Sequence, residues 1–385
     1  MKTYRRLPIC LGVLCSPWRF LPLIASILLL FTSSPLQGEG ATPITVNTAS
    51  QLLRGNPAAR LLSDEFSSEH WEFTARFDSG HLLFVHFLIT NIGWGDRNAV
   101  VVGHVVTPEG EVHQFGNARR QKNWRLSEDR LHFEIGSNVL DLHGPQYRLQ
   151  VDKKKTRLDL RFQADTPAVW SKALTQSGYA LDLLATAVPV NGTLWIAGMA
   201  EPIAVHGILA ATHSWMQEPA SSVLVRRVEF FTLRDDLPLY GIDLTTPTGN
   251  RSRWLVMKQP GKQPFAADTF ELTFGQEQES WQDSRYTVPE EIRLKSAWLD
   301  GQLNLDRILL RHDPFAYLPG PLRFLASTIL NLHPLQVWAA SPFALLMQPT
   351  PIPTSFSSTT SSGLTTQQGT GIIAITFLNP LPAGP

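Results

Sequence analysis

Between residues 65 and 318 the apolar side chains recur at every second position far more often than at every third or fourth, the period of a strand with one buried face. In Trp71-Glu-Phe-Thr-Ala-Arg-Phe77, Trp71, Phe73, Ala75 and Phe77 share one face and Glu72, Thr74 and Arg76 the other. Asp78-Ser-Gly80 then turns the chain into residues 81–90, a run apolar on both faces, and Thr107-Pro-Glu-Gly110 joins 99–106 to 111–115. Residues 131–135, 147–151 and 158–162 repeat the alternation at short intervals. A comparable series follows at 204–209, 223–233, 239–244 and 253–257, with Thr246-Pro-Thr-Gly249 echoing the earlier turn. Strands spaced this way predict a mostly β chain of two barrel or sandwich units in tandem. After a lead-in at 41–64, the expected domains are 65–191 and 192–318.

The two ends read differently. Lys2, Arg5 and Arg6 precede an uncharged apolar run from Phe20 to Phe31, the order of a secretory signal peptide, and that run is shorter than the roughly 20 residues of a spanning helix. Removing 1–40 takes away Cys10 and Cys15, so no disulfide is expected in the mature chain, which is read as exported, periplasmic or secreted. It also takes four basic residues and one acidic, leaving 29 basic against 32 acidic. Such a balance gives no electrostatic footprint for nucleic acid. At the other end, the last 62 residues hold no Lys, Arg, Asp or Glu. Residues 319–385 are therefore expected to form a tail: an apolar docking or peripheral membrane segment at 322–347, then a disordered Thr/Ser/Pro/Gly stretch. A shifted reading frame would produce the same break.

Serine-hydrolase, phosphate-binding and dinucleotide signatures are absent from the sequence, and no cofactor is expected. His81, His86, His104 and His113 fall in one β region, but His81 and His86 have opposite parity and no His-x-His pair occurs, so no metal site is expected. His86, flanked on its own face by Phe84 and Leu88, is a candidate polar group inside the first barrel.

Ser68-Glu-His-Trp-Glu-Phe73, the Gly80 hairpin and the Pro108-x-Gly110 turn occur in an order that resembles the superfamily of carotenoid 1,2-hydratases, AttH-like proteins, fungal survival factors and decalin-forming Diels–Alderases. The likeness covers roughly residues 65–313, and His70 stands where the family often carries the first Trp of Glu-Trp-Trp. The resemblance implies two lipocalin-like β-barrel domains with a hydrophobic small molecule in a barrel or between them. Trp71, Phe73, Phe84, His86, Trp94 and His206 are the corresponding ligand-binding candidates. His206-Gly-Ile-Leu-Ala-Ala-Thr-His-Ser-Trp215 resembles a family segment ending in His-x-Trp, which makes His213, Trp215, Tyr240 and Asp243 the implied catalytic set. Two departures stand against it: the step from Tyr240 to Asp243 is one residue longer than in the hydratases, and Thr212 replaces an Asp. The alternative is that His213 is a hydrogen-bonded histidine at a strand end and Trp215 is core. The expected function is an exported lipocalin-like protein that binds or carries a lipid, isoprenoid or polyketide; the alternative is an enzyme on such a ligand, a carotenoid hydratase-like hydro-lyase or a cyclase.

Overall fold

The computed structural model describes residues 53–378 apart from 92–95, 164–169, 174–177, 235, 259–264, 269, 276, 279–285, 287, 297–298, 306, 314–333 and 348–364. The expected signal peptide and Trp94 lie outside the described residues. Among the described residues two large antiparallel sheets make up most of the fold, beside a short two-stranded one. The first runs outward in space from Ser68–Phe77 through Leu82–Thr90 and Asn98–Val106 to Val112–Arg119. On its other side Ser68–Phe77 pairs with Ile203–Met216, and that strand with Ala180–Ile196. Thr156–Gln163, Gln146–Lys153, Asn138–Asp141, His132–Ile135 and Arg125–Leu126 then complete the series.

The sheet curls until its edges meet. Asn117 donates its side-chain N–H to the Ile135 carbonyl at 3.1 Å, and the Trp124 indole donates to the Arg97 carbonyl at 2.7 Å. These contacts cover part of the edges that would otherwise invite another strand. The alternation read in 71–77 holds, and it sends Trp71, Phe73, Ala75 and Phe77 into the lumen. Aromatic rings fill that space, with Trp71 4.6 Å from Phe133 and Phe162 5.9 Å from Phe73 and 5.6 Å from Tyr147.

The second sheet is built around Arg226–Thr232, which pairs on one side with Leu239–Thr245 and on the other with Thr365–Phe377. Leu335–Met347 pairs with Thr365–Phe377 over its full 13 residues and also borders Leu299–Asn304 and Arg307–His312. Its lumen is likewise apolar, with Phe230 crossing flat over Gly241, where a Cβ would lie 2.0 Å from the ring.

Two expectations change here. The joint placed at 191/192 falls inside Ala180–Ile196, and both that strand and Ile203–Met216 belong to the first sheet; the second begins at Arg226. The second strand series was expected to begin there, but Gly192 is itself a strand position where a Cβ would meet the Asp159 carbonyl at 2.0 Å. The tail is also no appendage. Both of its described segments are central strands, and their lack of charge follows from having neighbours on both edges and a core face holding Val337, Ile373 and Ile375.

Truncating Ile375 to Ala is therefore expected to cost about 2–5 kcal/mol, read from denaturant unfolding. Unchanged stability would mean that Thr365–Phe377 is not part of the core.

Candidate functional site

Because sides alternate along a strand, the face of Ser68–Phe77 opposite Trp71 carries His70, Glu72 and Thr74, and the register places Thr74 beside Phe84 and Glu72 beside His86 on the next strand. The second sheet turns the matching face toward them. Arg227, Glu229 and Phe231 alternate with Val228 and Phe230, which enter the second lumen. Tyr240, Ile242 and Leu244 flank them from the adjoining strand. Phe84, Phe231, Tyr240 and Trp338 thus join an apolar layer between the sheets.

At its centre is a closed ionic array. The Arg227 guanidinium donates to Glu72 Oε1 at 2.6 Å and lies 3.1 Å from Glu229 Oε2. Tyr240 donates its hydroxyl to Glu229 Oε1 at 2.7 Å, Arg227 also reaches the Tyr179 hydroxyl at 3.4 Å, and His86 Nε2 stands 3.4 Å from Glu72. A cavity of about 30 Å³ is lined by Glu72, His86, Arg227, Glu229, Tyr240 and Trp338, among others, room for one or two water molecules.

The two carboxyls differ although they share one cation. Burial pushes Glu72 up, but the charge and hydrogen bond of Arg227 outweigh it and bring the group down to about 2. Glu229 ends above its ordinary value, because burial and the neighbouring Glu72 charge exceed what Arg227 returns. Burial and the Glu229 charge hold the Tyr240 phenol well above its usual range. Burial lowers the His86 pKa. Two carboxyls with divergent affinities for a proton, beside a phenol, form an acid–base arrangement.

A second buried cluster lies inside the first barrel. His213 Nε2 is 2.8 Å from Glu69 Oε1, its Nδ1 is 3.6 Å from Asp182, and the Trp71 indole stacks on the imidazole at 4.5 Å. Burial lowers the His213 pKa, but Asp182 and Glu69 overcome that and raise it. The same carboxylates hold the lead-in segment. Glu69 accepts the Arg60 and Leu61 backbone N–H groups, Asp182 accepts the Asn56 N–H and the Arg60 guanidinium, and Arg60 lies 4.2 Å above the Trp215 ring. His213 thus braces the two carboxylates that seat residues 56–61 in the barrel end.

The implied catalytic set therefore does not converge. His213 and Trp215 are together, with rings 5.3 Å apart, but on the lumen side of the first sheet. Tyr240 faces the other sheet. Asp243, odd where Tyr240 is even, enters the second lumen and takes Arg251 and Arg253 at 2.6 and 2.7 Å. Those arginines donate to the Leu272 and Phe270 carbonyls, so Asp243 helps close the second barrel. Among the ligand-binding candidates, Phe84 and His86 line the inter-sheet layer, while Trp71 and Phe73 are packed in the first lumen. His206 is exposed at the rim. Glu72, Arg227, Glu229 and Trp338 were missed. Charges alternating with apolar residues in 226–232 were the available signal, but they also describe a solvated face.

Neither a family model nor a curated protein sequence matches the chain. Solved structures do match in shape. An AttH protein of Nitrosomonas europaea superposes with a TM-score of 0.57 at 12% identity, over 88% of this chain and 100% of that one. The chain has the AttH-like lipocalin fold. CghA solved with Sch210972 gives 0.56 at 10% identity, over 86% and 98% of the two chains. Kievitone hydratase from Nectria haematococca gives 0.51 at 13%, over 86% and 97%.

Two further histidines give the interface a pH response. His104 and His312 have rings 4.9 Å apart next to Trp338; burial first, then neighbouring histidines, lowers them to about 3 and about 4. Both fall below the unfolded value of about 6.5, so the folded state binds fewer protons. Stability is then full above about pH 6.5 and is lost as pH falls toward 4. Urea midpoints measured from pH 7 to 4 are expected to decline less steeply for His104→Gln than for the parent chain. Parallel curves would show that His104 does not carry the effect.

Proposed function

We propose that the protein binds an apolar small molecule between its two sheets and transfers a proton to or from it there. Glu229 carries the reading: a buried carboxyl held above its ordinary range, hydrogen-bonded to Tyr240 and lining the same cavity as the Trp338 indole. Compensating Arg227 requires one carboxylate, and Glu72 already supplies it. The second carboxyl is free to act as proton donor or acceptor, the phenol to relay, and the indole face to tolerate developing positive charge. Hydration, dehydration and cyclisation of an isoprenoid- or polyketide-like substrate all use that combination. The shape match to a hydratase and to CghA solved with Sch210972 supports a ligand-handling fold.

Carriage inside a barrel is the weaker reading, since among the described residues both lumens are filled by side chains. The inter-sheet cavity is itself far below the roughly 300–1,000 Å³ of a small-molecule pocket, so a ligand must part the layer around Trp338 as it enters. Export remains part of the proposal, on the charge and hydropathy order of residues 1–40.

Solvent extraction of the purified chain with mass spectrometry, followed by assay of the recovered molecule, tests the reading. Glu229→Gln is expected to lower turnover about 10²–10⁴-fold while retaining ligand, and Tyr240→Phe to lower it less. Unchanged turnover in Glu229→Gln would overturn the chemistry. Failure to recover an apolar molecule, with no melting shift from an isoprenoid, polyketide and flavonoid panel, would overturn the binding.

A further inference from the structure

The first sheet carries a side-chain cluster far in sequence from the inter-sheet array and unused by it. His132 opens His132–Ile135, Asp141 closes Asn138–Asp141, and the antiparallel register sets the two opposite each other. His143 follows two residues later, and Asp129 belongs to the turn that precedes the hairpin. His132 Nδ1 is 3.3 Å from Asp141 Oδ2, His143 Nδ1 is 2.7 Å from Asp141 Oδ1, and His143 Nε2 is 2.6 Å from Asp129 Oδ2. One donor atom from each of His132, Asp141 and His143 lies within 4.8 Å of the others.

Backbone contacts hold these donors in place. Ser127 Oγ accepts the Leu131 and His132 N–H groups, and Asp129 Oδ1 accepts the Leu131 N–H together with the Ser127 hydroxyl. Asp141 Oδ1 accepts the His143 N–H, and the Leu142 N–H donates to the Leu131 carbonyl. Arg130 completes the turn with a left-handed φ of 63°. Donors on such a frame lose little conformational freedom when they share a ligand.

We propose that His132, Asp141 and His143 form a site for a borderline divalent transition-metal ion such as Zn²⁺, with solvent completing its coordination. Two imidazole nitrogens and one carboxylate oxygen suit zinc, nickel or copper, whereas calcium and magnesium prefer oxygen throughout. Zinc bonds of about 2.0–2.2 Å put tetrahedral donors roughly 3.4 Å apart, between the shortest contacts here and the widest, so side-chain rotation alone gathers them. Asp129 holds His143 from outside or enters as a fourth ligand. Three half-exposed protein donors with a solvent position describe an open site on the hairpin, not a closed structural one.

Titration calorimetry of the full chain with ZnCl₂ tests this, with MgCl₂ as the control ion. One saturable zinc site is expected, with no magnesium binding. His132→Ala and His143→Ala, made separately, are each expected to weaken it at least ~10-fold, while His206→Ala, at an exposed position outside the cluster, leaves it intact. Circular dichroism confirms the fold of each variant, and two independent variants keep the test decisive if one is unstable. Absence of saturable binding would show that the four side chains only hydrogen-bond one another. Equal zinc affinity in His143→Ala would place the ion elsewhere; either result overturns the site.

Discussion

A guanidinium buried between two β-sheets has to be neutralised where it lies, because removing a charge from water without a partner costs more than a domain's net stability allows. Arg227 meets that demand with carboxylates from both sheets, Glu72 from the first and Glu229 from the second. The pair across the interface fixes one sheet against the other in register. The pair within the second sheet leaves Glu229 sharing a cation already claimed, which makes that carboxyl the more readily protonated of the two. One constraint thus sets both the docking of the domains and the acid–base character of the layer between them.

The rest of the architecture leaves the chemistry little other room. Each lumen is packed with large side chains, and each barrel is closed by polar side chains reaching across its seam: Asn117 in the first, Arg251 and Arg253 held by Asp243 in the second. The end of the first barrel is occupied by the lead-in segment and its anchors Glu69, Asp182 and His213. These polar groups are engaged with structural partners, whereas the inter-sheet layer combines a cavity, titratable groups and an indole.

Period-two alternation made the strands legible, and the faces of Trp71, Phe73 and Phe77 could be read from it directly. The resemblance also anticipated the paired lipocalin-like domains. What alternation could not convey was which polar face met water and which met a second sheet, since Glu72 and Arg227 look the same in either setting. Tyr240 and Asp243 show the cost of reasoning from sequence proximity: three residues apart on a strand, they point to opposite faces. The domain boundary failed for a related reason, because Ala180–Ile196 and Ile203–Met216 follow a long interval of other strands yet return to pair beside Ser68–Phe77. Uncharged composition hid the last strands, since a strand with neighbours on both edges has no call for charge.

The position of Thr365–Phe377 also orders events during synthesis. It is the neighbour of Arg226–Thr232, separated from it by well over a hundred residues, and among the described residues the first sheet contains no strand beyond Met216. A ribosome has therefore released everything needed for one barrel long before it releases the strand that completes the other. In that interval the hydrogen-bonding edge of Arg226–Thr232 stands open and the large loop to its partner has yet to close, a slow step that leaves sticky surface exposed. The nascent second domain is where a chaperone would find its client.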